Sequence, residues 1–122
     1  MIQSIKNEEL DLTINSCYKK VLISDIYEVI NKFYNGVPTK NVIWDFSNAN
    51  VSEIKPSEIQ ILAEQVKGMA HSRQGGKTSI IAPLDITFGL SRMYQIFSDI
   101  SHPIDNISVF KTLPEAMEWI KE

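Results

Sequence analysis

The chain has 122 residues, of which 43% are hydrophobic and 22% charged, and a formal net charge of −3. That length allows a core burying about two-thirds of the surface the unfolded chain exposes, and the composition excludes disordered and fibrous classes. The acidic balance and the scattered basic residues, with Lys19-Lys20 the only tight pair, exclude a protein built to hold nucleic acid by its phosphates.

Cys17 is the single cysteine, which excludes an internal disulfide and a CxxC metal site and fits a reducing compartment. No apolar run approaches the length of a membrane span, and the amino end MIQSIKNEEL lacks the apolar stretch of a signal peptide. The expectation is a cytoplasmic protein without a transmembrane segment, folded as one domain over residues 1–122, because no repeat or low-complexity linker divides it.

In chain order, residues 1–5 and 10–18 read as two strands joined by the turn Lys6-Asn7-Glu8-Glu9. In the second strand Leu10, Leu12, Ile14 and Tyr18 alternate with Asp11, Thr13, Asn15 and Cys17, so the latter face is expected to meet water or a partner. Ser24 caps a first helix with Ile26, Val29, Ile30 and Phe33 at helical spacing, and Asn35-Gly36 ends it. The apolar run 42–46 suits a central strand covered on both faces. Residues 47–55 read as a polar loop. Pro56 or Ser57 then opens a second helix, with Ser57 and Gln60 at capping-box spacing. Ile59, Leu62, Ala63, Val66, Met69 and Ala70 form its apolar stripe.

Gly75-Gly76 breaks the chain before strand 78–82. Asp85 caps a third helix, and Pro103 lies just past its end. Strand 107–110 follows, and Thr112 with Glu115 around Pro114 opens a last helix carrying Leu113, Ala116, Met117 and Ile120. The order ββαβαβαβα predicts an α/β domain, a single mixed sheet of about five strands covered by about four helices.

No motif announces catalysis. Gly75-Gly76-Lys77-Thr78 imitates the end of a P-loop, but His71 stands where the first glycine belongs, and these glycines leave a helix and enter a strand, the reverse of what phosphate binding needs. His71 and His102 have no Cys, Asp or Glu at ligand spacing, so neither a metal nor another cofactor is expected. Ser91 lacks a G-x-S-x-G elbow. Asp25 and Asp85 belong to helix starts and Asp99 to a solvated helix face. Asp45 differs, because it ends the predicted central strand, where open α/β sheets place their sites.

On the third helix Ile86, Leu90, Met93, Phe97 and Ile100 share one face. Phe88, Arg92 and Ile96 lie on the opposite or flanking side, a composition suited to a partner contact. Gly89 is expected to permit a close approach, of the helix to the sheet or of a ligand to the backbone.

The run IIAPLDITFGLSRMYQIF and the closing VFKTLPEAMEWI, in this element order, resemble the bacterial SpoIIAA-like proteins, which are related to STAS domains and described together with CRAL-TRIO lipid-exchange folds. The resemblance spans nearly the whole chain. It implies a non-enzymatic, cofactor-free protein-interaction or regulatory domain with a protein partner or a second copy as its target, or alternatively a carrier of a lipid or other apolar small molecule. In STAS anti-sigma-factor antagonists an Asp-Ser-Ser-Gly-type run after the central strand carries a phosphorylatable serine. By position the resemblance implies Ser57 for that role, although Pro56 and Glu58 flank it in place of the small residues of the motif.

Overall fold

The computed structural model describes residues 1–73, 75–101 and 106–122. His102 and Pro103 lie outside the described residues. The elements are β1 (Ile2–Asn7), β2 (Leu12–Lys20), α1 (Ile23–Asn35), β3 (Asn41–Asn50), α2 (Pro56–Lys67), a 3-10 turn (Ala70–Arg73), β4 (Lys77–Ile81), α3 (Asp85–Ser101), β5 (Asn106–Phe110) and α4 (Leu113–Lys121). They form one five-stranded mixed sheet in the order β1-β2-β3-β4-β5. β1 pairs antiparallel with β2, and the remaining neighbours are parallel. The order and the mixed sheet are those expected from the sequence.

Each crossover steps one strand in the same direction, and a right-handed crossover then puts its helix on the same face every time. Helices α1, α2 and α3 therefore share one layer, where Ile26, Ile30, Ile59, Leu62 and Val66 join Cys17, Phe46, Ile80 and Ile107 in the larger core cluster. Only α4, which follows the last strand, covers the other face, packing Ala116 and Ile120 on Leu12, Ile43 and Ile81.

This one-sided layering reverses the expectation for β2. Thr13, Asn15 and Cys17, on the face predicted to be open, are 7, 2 and 1% exposed. The polar groups there are paired: Ser4 Oγ donates to Asn15 Oδ1 at 2.6 Å, and Thr39 Oγ1 donates to the Asn41 carbonyl at 2.8 Å, which leaves Thr13 Oγ1 to donate to Thr39 across 2.7 Å. Ile5, on the opposite face at the edge strand, is 63% exposed.

Several ends move for local reasons. The hairpin turn falls later than expected because the Asn7 side chain accepts the Leu10 amide at 3.2 Å and Asp11 takes a left-handed φ of 49°, conformations that Asn and Asp favour. Leu22, not Ser24, is the N-cap of α1, and the Asp25 carboxylate accepts the Leu22 amide at 2.8 Å. Lys55 is the N-cap of α2, Pro56 is its first residue, and Glu58 accepts the Lys55 amide at 2.8 Å. Glu58 thus takes the part expected of Gln60. Thr112 caps α4 with Glu115 as expected.

Two larger corrections concern β3 and α3. β3 continues to Asn50 because, past an irregularity, Asn48, Ala49 and Asn50 pair with Tyr18, Lys19 and Lys20. The expected loop 47–55 is thus half strand, and Val51 and Ile54 are buried. α3 is rotated about its axis from the orientation its apolar stripe predicts. Thr87, Ser91 and Ser98 are 3, 6 and 3% exposed, whereas Ile86 is 55% exposed. Small side chains let the helix lie close to α2, and Ser91 Oγ donates to the Thr87 carbonyl one turn earlier at 2.7 Å.

Candidate functional site

All four helices begin where the parallel strands end, so their first turns gather along the carboxyl rim of the sheet. That rim carries apolar side chains that the core leaves out: Leu22, Leu84 and Leu113 are 40, 54 and 43% exposed, and Ile86 follows in the first turn of α3. β2 and β4 are two strand spacings apart, about 10 Å, so Leu22 and Leu84 lie within the footprint of one partner. The rim is also where the backbone departs from low energy, since Lys19 near the end of β2 has φ 58°, a conformation a side chain tolerates poorly.

Ser57 is the second residue of α2 and is exposed on this rim, between the chain segments that carry Leu22 and Leu84. Asp45 does not end its strand. It pairs in register with Ile81, the last residue of β4, and its carboxylate accepts the Ser47 amide at 2.9 Å, which turns the chain at the irregularity in β3. A sequential strand order has no point at which successive crossovers diverge to opposite faces, so the crevice that open α/β sheets use for ligands does not form beside Asp45.

On α3, Arg92 and Ile96 face solvent one turn apart, Ile96 at 51% exposure, and Arg92 Nη1 donates to Gln95 Oε1 at 2.7 Å. Phe88 is half-buried against the larger core cluster, and Lys111 Nζ lies 5.3 Å from its ring centroid. Gly89 does not serve close packing: it is exposed, and a Cβ there would meet nothing within 4 Å. Gly89→Ala is expected to stabilise the fold by about 1 kcal/mol, read as a higher denaturant midpoint. An unchanged or lower midpoint would show that the glycine has a use inside the folded chain.

Among the described residues the ionisable groups do not converge into a reactive arrangement. Among the described residues no group of three His, Cys, Asp or Glu side chains is close enough to hold a metal ion. Burial first, and the Asp45 carboxylate second, push the Cys17 thiol up to about 12, against a smaller opposite pull from the amino terminus. At neutral pH the thiol is therefore protonated, the unreactive form. Ser91 is buried within α3, and His71 is exposed on the 3-10 turn. Gly75-Gly76 closes the path from that turn into β4, with Gly75 at φ 82°. Arg73 ties this end together, donating to the carbonyls of Lys40 and Lys77 at 3.1 and 2.9 Å, to Thr78 Oγ1 at 3.0 Å and to the Tyr34 hydroxyl at 3.2 Å. No helix among the described residues is long and apolar enough to cross a membrane.

The rim residues Leu22 and Leu84 give no periodic signal in the sequence, because each stands at a helix start outside the apolar stripe, whereas Leu113 falls on the stripe of the last helix and is nonetheless 43% exposed. Apolar residues at helix entries were the one clue available to find them.

No protein-family model matches the chain, and no curated protein does. Solved structures do. The anti-sigma factor antagonist SpoIIAA in its unphosphorylated form aligns with TM-score 0.61 and 11% identity over 99% of this chain and 98% of that one. A protein of the DUF3478 family with a SpoIIAA-like fold from Shewanella loihica PV-4 aligns with TM-score 0.60 and 10% identity, over 98% and 92%. An anti-sigma factor antagonist from Mycobacterium paratuberculosis gives 0.59 and 12%, over 100% and 96%. At these identities the likeness concerns fold alone, and the fold is SpoIIAA-like.

Proposed function

We propose that residues 1–122, with their SpoIIAA-like fold, act as a single non-enzymatic regulatory domain of the cytoplasm that binds a protein on the carboxyl rim of its sheet and the adjoining outer side of α3. The observation that carries this reading is the set of exposed apolar side chains gathered there, Leu22, Leu84, Ile86 and Leu113. Singly exposed apolar residues are ordinary, but several sharing one edge beside charged groups have the make-up of a contact surface. Arg92 and Ile96 extend the surface along α3, and Phe88, anchored in the core beneath it, borders it. Two structural neighbours are anti-sigma factor antagonists, which agrees with a binding protein.

Ser57 is the proposed control point. A phosphate there would add about −1.5 to −2 charge on the rim, and an apolar contact placed over it would have to desolvate that charge. In the free protein the phosphate would stand in solvent at the exposed start of α2, so modification would disfavour the complex without unfolding the chain.

Sedimentation and affinity capture with Leu84→Asp and Ile86→Asp test the reading. Both side chains are more than half exposed, so stability should stay within about 0.5 kcal/mol of the parent. A mass of two copies falling to one, or loss of a captured protein, is the expected result, with Ser57→Asp acting in the same direction and Ser57→Ala silent. Val37→Asp, 83% exposed in the link between α1 and β3, is the control that should change nothing. Rim variants that assemble and capture as the parent does would end this proposal.

A further inference from the structure

The layer between the sheet and helices α1 to α3 is not completely filled. Where α3 turns Thr87 and Ser91 into the layer, short side chains stand in positions that leucine or isoleucine would occupy in a close-packed core, and a cavity of about 100 Å³ remains, bordered by Ile30, Trp44, Ile59, Leu90, Thr87 and Ser91. Its lining is mostly apolar.

The two hydroxyls on α3 differ. Ser91 Oγ is satisfied by the Thr87 carbonyl. Thr87, 3% exposed, has a buried Oγ1 with no hydrogen-bond partner among the described residues. A buried hydroxyl left unmade costs more than an ordinary hydrogen bond contributes, so such a group in a cavity wall is either satisfied by something that enters or is retained at a loss. Water is a poor occupant, since it needs two to four polar partners. Two acceptors on the lining already have donors: Thr78 Oγ1 accepts from Arg73, and Asn15 Oδ1 accepts from Ser4.

We propose that this cavity is a binding site for a compact, mainly apolar molecule of about five to seven heavy atoms carrying one hydrogen-bonding oxygen, such as a small phenol, alcohol or ketone, with that oxygen on Thr87 Oγ1. An apolar cavity of about 150 Å³ takes benzene, so one of about 100 Å³ takes a molecule of that order after slight yielding of its walls. An acyl chain is too large, since pockets for ligands of that size begin at about 300 Å³. The site is independent of docking on the rim: either can exist without the other.

Methyl NMR of the full chain, titrated with phenol and with toluene, tests the assignment. Wild type is expected to show saturable shifts at the methyls of Ile30, Ile59 and Leu90 with both probes. Thr87→Val removes the hydroxyl at nearly constant shape and should melt at or above the parent temperature. It should weaken phenol about three- to tenfold while toluene is unchanged. Thr87→Leu, which occupies the space, should abolish both. No saturable shift in wild type, shifts confined to surface methyls, Thr87→Val binding phenol as tightly as the parent, or a crystal showing only a fixed water on Thr87 after soaking would each overturn the assignment.

Discussion

Gly76→Ala is expected to destabilise the protein by roughly 3 kcal/mol or more, the largest effect of any single methyl added to this chain. Gly76 is buried where the 3-10 turn passes into β4, and a Cβ built on it collides with the Lys40 carbonyl oxygen and comes within 2.9 Å of the Arg73 carbonyl oxygen. Neither obstacle can swing aside, because both belong to the backbone. The Lys40 carbonyl accepts from Arg73 Nε, and the Gly76 amide donates to the Arg73 carbonyl at 2.7 Å. Relief would require withdrawing β4 from β3 or opening the Arg73 clip. Gly75→Ala meets open space by comparison, with only the Lys40 side chain at 4.0 Å, and bears the strain of φ 82° alone. Its cost should be nearer 1 kcal/mol. Urea midpoints of the two variants give the ranking. Gly76→Ala within 1 kcal/mol of the parent would mean that the tight passage relaxes cheaply.

Stability should fall steeply in alkali because of Cys17. The thiol is held neutral in the folded chain until about pH 12, whereas the unfolded chain releases that proton from about pH 9. Below pH 9 both states carry the proton and the contribution is whole. Between the two values only the unfolded state loses it, so folding weakens by up to about 1.4 kcal/mol per pH unit. Tyr27 adds in the same direction, its hydroxyl raised by partial burial and then by the Glu58 carboxylate. Denaturant unfolding from pH 7 to 11 should show the decline, and Cys17→Ala, though less stable at neutral pH through lost packing, should flatten it. An identical slope in that variant would locate the effect elsewhere.

Local signals in the sequence were good guides to element order and poor guides to orientation. Pro56 marks the first residue of α2, Thr112 and Glu115 mark the start of α4, and Asn35-Gly36 marks the end of α1, since each acts through backbone geometry within one turn. The end of β3 escaped detection because Ser47 to Asn50 reads as polar, yet these residues gain partners from β2, a strand some thirty positions earlier in the chain. Asp45 and Ser57 were visible as chemical types. Their settings, mid-strand at an irregularity and exposed on the carboxyl rim, came from pairing and crossover geometry. The cavity beside Thr87 had no counterpart in the sequence at all.

The amino-acid sequence by itself determined that strands and helices alternate after an initial hairpin, and hence that parallel strands are joined by right-handed crossovers, because hydrophobic period and end signals are local properties. Only the tertiary structure decided which face of each element is covered. Periodicity tells which residues share a face, but the side that meets protein depends on neighbours: three crossovers in one direction buried Thr13, Asn15 and Cys17 under helices, and packing beside α2 turned α3 so that Thr87 and Ser91, not Ile86, are buried.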